Sequence, residues 1–239
     1  MTKHVLLDNV THKNLKILTG RGANLGDSVG YTTIIPVEFR RAACCYPMVF
    51  RKNPITDRFE TVGLLGLNQN ENLFLDGSYW RADYIPLSIE RAPFMIGYAR
   101  NAAAGEPQAV IHIDMDHPRV SFDDGESIFL EDGGQTPYLE RMNSILAELL
   151  KGVAENDAFL DALLAEELLE PFALKAQLKN QVNIEVSGFH TINEERLASL
   201  SGNELERLHR RNYLEPIYLI IASLSNLRRL IKMKEACLP

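Results

Sequence analysis

The stretch NIEVSGFHTI, Asn183–Ile192, reads as a β-strand set among segments with helical patterning. A strand needs a neighbour to satisfy its backbone N–H and C=O groups. The nearest supply of strands lies in the N-terminal half. The stretch therefore predicts one integrated α+β domain over residues 1–239, not two independent halves. Within it, a β-rich part spans about 1–136 and a helical part about 137–239. The sheet is expected to be mixed or antiparallel, built from the N-terminal half plus this C-terminal strand.

Working outward, YTTII from Tyr31 begins a β-rich run, and EFRRAACC suits one short helix. YPMVFR, FETVGLLGL, PFMIGYAR and AVIHIDM read as further strands, and DYIPLSIERA as a short helix with Pro86 in its first turn. NAAAGEP, FDDGES and EDGGQTP are turns or loops. Thr136 and Pro137 then suit a helix start. Leu139, Met142, Ile145, Leu146 and Leu149 recur at helical spacing. A second helix is expected over about 157–169, broken or restarted by Pro171. Thr191 with Glu194, and Ser201 with Glu204, each fit a capping box. A last helix is expected from Glu215–Pro216 to about Lys234. Its basic end, Arg228, Arg229, Lys232 and Lys234, complements the helix dipole.

Lys and Arg number 25 against 32 Asp and Glu, a net charge of −7. Such a chain does not attract nucleic acid or anionic lipid as a whole. Its most apolar late run is interrupted by Glu215, Pro216, Ser223, Ser225 and Asn226, so no membrane span is expected. The N-terminus lacks the apolar stretch of a secretory signal, and a cytoplasmic protein is expected. Cys44, Cys45 and Cys237 form neither a disulfide framework nor a zinc spacing. They are expected to be reduced thiols.

Two places bear chemistry. HIDMDH, His112–His117, puts His112 and Asp114 on one face of a strand. With His190 they would complete a two-histidine, one-carboxylate iron site, with Arg196 for a co-substrate carboxylate. The plain reading is a solvated polar strand face. The other place is GLNQNENLFLDGSYWRADYIPLSIERAPF, Gly66–Phe94. Asp76-Gly77 signals a turn, and Asn72 suits a bond to its own loop backbone. Trp80, Tyr84 and Arg91 are the residue types that dominate recognition surfaces. Arg91 could pair with Glu38 or Asp76. The segment is either a rigid crossover or a pocket lined by Trp80, Tyr84 and Arg91. GRGANLG lacks the helix that a dinucleotide cradle requires, and the adjacent acids Glu166 and Glu167 read as a solvated edge.

PVEFRRAACCYPMVF, then Val62–Ile96, then IDMDHPRVSFDDGESIFLEDGGQTPYL, then Ser187–Leu230 resemble the bacterial SapC-like proteins. The most specific parts are GLNQNENLF, the W-R-A-D-Y-I-P run and IASLSNLRRL. The resemblance implies an association with surface layers by name, and no defined biochemical activity. The expected function is a non-enzymatic binding or accessory protein of a bacterial cell-surface or outer-membrane-related system. Its ligand or partner residues would be Asn72, Asp76, Trp80, Tyr84 and Arg91. No cofactor is implied. The ligand, protein or small molecule, is open, and a homodimer is compatible with this reading. The alternative is a non-haem iron oxygenase using His112, Asp114 and His190.

Overall fold

Val49 and Val62, both fully buried, face each other across an antiparallel strand pair. Around them the computed structural model describes residues 3–100, 107–179 and 182–237. The NAAAGEP turn lies outside the described residues except for Pro107. Along the chain the strands are β1 (His4–Leu6), β2 (Lys16–Ile17), β3 (Tyr31–Thr33), β4 (Met48–Lys52), β5 (Phe59–Leu64), β6 (Leu75–Asp76) and β7 (Tyr79–Trp80). They continue as β8 (Phe94–Arg100), β9 (Pro107–Asp114), β10 (Val120–Ser121), β11 (Glu126–Ser127), β12 (Leu169–Gln177) and β13 (Asn183–Ile192). The helices are α1 (Phe39–Ala43), α2 (Leu87–Glu90), α3 (Pro137–Ala165), α4 (Glu194–Ala198), α5 (Gly202–Arg210), α6 (Leu214–Ser223) and α7 (Leu227–Ala236). The fold is α+β, with antiparallel sheets and a helical C-terminal half. Among the described residues, no helix is long and apolar enough to cross a membrane.

The chain forms two compact units. The first comprises Met1–Ser28, Leu75–Trp80 and Leu87–Lys151. It holds the sheets β1-β9-β8 and β10-β2-β11 and the β6-β7 ribbon. Ile17, Phe94, Ile113 and Ile128 are buried in it.

The second unit comprises Val29–Phe74, Arg81–Pro86 and Gly152–Pro239, with the sheet order β12-β13-β4-β5-β3. β13 joins the N-terminal strands as expected, pairing Phe189 with Arg51 and His190 with Phe50. Helix α6 is tied to the same sheet. The fully buried Ser223 hydroxyl accepts from Met48 N at 2.8 Å and donates to Ile220 O at 2.6 Å. Phe39 and Phe159 meet edge to face, 6.0 Å between ring centres. Full burial of such rings contributes about 1.5–3 kcal/mol each.

Several local expectations change. Residues 137–165 form one helix, not two. Gly152, mid-helix, lies so close to Ile35 that a Cβ there would come within 2.4 Å of Ile35 Cδ1, so packing demands the residue that propensity disfavours. Residues 169–177 are a strand, β12, where Pro171 is expected to break or restart a helix. Pro171 is compatible with it because β12 is an edge strand, where a missing donor costs no ladder bond. The last helix is interrupted by a 3-10 turn at Leu224–Asn226. Asn226 Nδ2 there donates to Ala43 O at 2.8 Å. Thr191 stays in β13, and Asn193 caps α4 by accepting from Arg196 N at 2.8 Å. Glu166 is no solvated edge: it is buried and paired with Arg207 at 2.8 Å. All three cysteines are free thiols, and burial pushes the Cys45 thiol up.

Candidate functional site

The residues singled out around Gly66–Phe94 divide between the units. Asn72 and Tyr84 fall in the second; Asp76, Trp80 and Arg91 fall in the first. Asn72 is buried, and its Oδ1 accepts from Phe74 N at 3.0 Å, the local turn its type favours. The Tyr84 hydroxyl donates to Glu38 Oε1 at 2.7 Å, and Tyr84 O accepts from the Tyr46 hydroxyl. Glu38 is almost wholly buried and also accepts from Ile35 N at 3.0 Å. Tyr84 is thus part of a buried polar network in the second unit. In the first unit, Asp76 is exposed, and Trp80 is half-buried and paired with Leu75. Arg91, expected to pair with a carboxylate, has a backbone partner within the first unit. It donates to Phe94 O at 2.5 Å, and burial lowers its pKa.

His112 and Asp114 lie on β9 in the first unit, and His190 lies on β13 in the second. Asp114 accepts from Asp116 N at 3.1 Å, which closes a turn. His190 meets Phe59 edge to face at 4.8 Å, and burial lowers its pKa. Arg196 is engaged by Glu204 at 2.6 Å and by Glu166 O at 3.1 Å. Among the described residues, no group of three or more His, Cys, Asp or Glu side chains is arranged to hold a metal ion.

A cleft of about 360 Å³ opens in the second unit. Ser187, in its lining, belongs to a bulge. Phe172 pairs with Phe189 and Leu174 with Val186, so Ala173 alone faces both Ser187 and Gly188. Gly188 takes φ 85, a conformation that side chains with a Cβ resist. A bulge of this kind bends its strand. β13 pairs with β4 at only two positions, and among the described residues Asn183–Gly188 has a strand neighbour on the β12 side alone.

The cleft is lined on one side by Glu185 and Ser187 of that free edge, and on the other by Gly66, Asn68 and Gln69. Tyr31, Arg51 and Phe189 complete it. The Arg51 guanidinium stands 4.8 Å from the Tyr31 ring centre and pairs with Glu60 at 3.3 Å. Tyr31 and Phe189 meet edge to face at 6.0 Å. An open strand edge offers backbone donors and acceptors, while the aromatic and guanidinium groups offer side-chain contacts. Tyr31, Arg51 and Phe189 had been read only as strand residues. The available signal was the glycine inside a strand pattern, immediately before an aromatic.

No curated protein and no solved structure matches this chain. A family model described as SapC matches residues 7–230, which include GLNQNENLF and the whole of β13. The chain belongs to the SapC family.

Proposed function

We propose that this protein is a non-enzymatic binding or accessory protein of a bacterial cell-surface or outer-membrane-related system, working in the cytoplasm. It recognises an extended segment of a partner protein, which adds as a strand to the free edge of β13. The observation that carries this reading is the edge of Asn183–Gly188, open beside a cleft lined by Tyr31, Arg51 and Phe189. Main-chain pairing would supply affinity and the cleft side chains specificity. The link to cell-surface systems rests on family membership. The cytoplasmic placement is supported by three free thiols, which persist in reducing compartments.

A displayed library of random linear peptides tests the reading. Selected peptides should lose binding by about tenfold or more in Tyr31→Ala and in Arg51→Ala. Backbone N-methylation at alternate peptide positions should abolish binding, because it removes the pairing donors. Peptides indifferent to both changes, or the absence of any selected binder, would refute strand addition at this edge.

A further inference from the structure

The first unit contains a cavity of about 290 Å³, close to the lower limit of ligand pockets at about 300 Å³. Its lining includes Arg21, Arg119, Arg141, Glu90 and Tyr138. Arg119 is almost wholly buried and fixes one wall. Its Nη1 donates to Leu18 O at 2.8 Å and Gly20 O at 2.5 Å. Its Nη2 donates to both oxygens of the buried Asp27 at 2.8 Å. Asp27 Oδ2 also accepts from Gly22 N at 2.9 Å. These bonds shape the loop that presents Arg21.

Arg21 is mostly buried, yet its nearest carboxylate atom is Asp27 Oδ1 at 3.6 Å, already taken by Arg119. A guanidinium has five donors, so this one long contact leaves others for the cavity that Arg21 lines. One carboxylate, Asp27, thus faces two guanidinium groups, Arg21 and Arg119, and is bonded closely only to Arg119, while Glu90 adds a weaker attraction on Arg21. Arg119 Nε is also buried without a partner among the described residues. Arg141 is paired with Glu90, and Glu126, the remaining acid of the lining, is exposed. Burial pushes the Tyr138 phenol up to about 12, so it remains a neutral hydrogen-bond donor at physiological pH.

We infer that this cavity is a binding site for a small oxyanion, a carboxylate or phosphate group of a soluble molecule, held by Arg21 with the Tyr138 hydroxyl as second donor. The planar guanidinium matches an oxyanion through paired hydrogen bonds. The loosely paired Arg21 guanidinium gives the anion its attraction, and a volume of about 290 Å³ suits a small molecule. Arg119 acts as a positioning residue, because its outer nitrogens are spent on the loop and Asp27.

Calorimetric titration of the full chain with inorganic phosphate and with malonate tests this, against sodium chloride at matched ionic strength. At least one of the two anions should bind saturably at concentrations below about 10 mM. Arg21→Gln should weaken that binding about tenfold or more, and Tyr138→Phe several-fold. Arg21→Lys keeps the charge but loses the fork, and should fall between them. Arg58→Gln alters an exposed pair with Asp161 in the second unit and should leave binding unchanged. Saturable binding by neither anion would overturn the inference. Equal weakening in Arg21→Gln and Arg58→Gln would also overturn it, since only general screening would then be at work.

Discussion

Ser201 and Glu204 bond to each other at the start of α5. Ser201 N donates to Glu204 Oε2 at 2.6 Å, and Glu204 N donates to Ser201 Oγ at 3.4 Å. The Ser201 hydroxyl and N–H, followed by the Arg196 guanidinium, hold the Glu204 carboxyl at about 2. A depressed carboxylate stabilises the fold above its unfolded pKa, and that contribution is lost as pH falls through the folded value. The Glu204 carboxyl resonance should therefore titrate near 2, followed by carbon NMR. Ser201→Ala should move the midpoint up toward ordinary carboxylates and cost about 1 kcal/mol in urea denaturation. An unchanged midpoint would mean that Ser201 does not set it. This cap was legible because both partners are local. Thr191 and Glu194 carry the same pattern, but Thr191 is held in a strand pair with Glu170 and Asn193 becomes the cap. Glu166 and Arg207, 41 residues apart, could not be paired by any local rule.

At the level of elements, Gly188 decides where β13 leaves the sheet. Nothing lies within 4 Å of a Cβ placed there, so a substitution meets only backbone strain at φ 85. Gly188→Ala should cost about 1–2 kcal/mol, measured by denaturant unfolding with an unchanged slope. A neutral result would show that the bulge is not required. β12 was missed for a related reason. Its residues are half-buried and exposed by turns, and Pro171 mimics a helix break. What holds it extended is pairing with β13, from Leu169–Ile192 to Gln177–Asn183. The break in the C-terminal helix has the same origin, since Ser223 accepts from Met48 N and Asn226 donates to Ala43 O, both distant in the chain.

At the scale of the molecule, the second unit draws on three separate chain segments. Its sheet runs from β12 and β13 directly to β4, and Ser223 of α6 accepts from Met48 N of β4 while donating to Ile220 O within its own helix. A fragment of residues 152–239 therefore lacks β3, β4 and β5, and leaves β13 and the Ser223 hydroxyl without their partners on β4. We expect it to lack a cooperative unfolding transition and dispersed amide resonances. A well-dispersed spectrum from that fragment would contradict this account of the unit.

Periodicity and local chemistry in the amino-acid order were sufficient for the α+β class, for β3, β4, β5, β8 and β9 but not the other, short strands of the N-terminal half, for the start of α3 and for the cap of α5. Each depends on residues within a few positions of one another. The need of Asn183–Ile192 for a distant strand was also readable, because an isolated strand leaves its backbone unbonded. Which strand answers, and at which residues, was not. The continuity of α3, the hairpin β12–β13, the cleft at Tyr31, Arg51 and Phe189, and the Arg21–Asp27–Arg119 cluster all depend on contacts between residues far apart in the chain. Packing and charge pairing at such separations outweigh local preference, and only the folded chain brings those groups together.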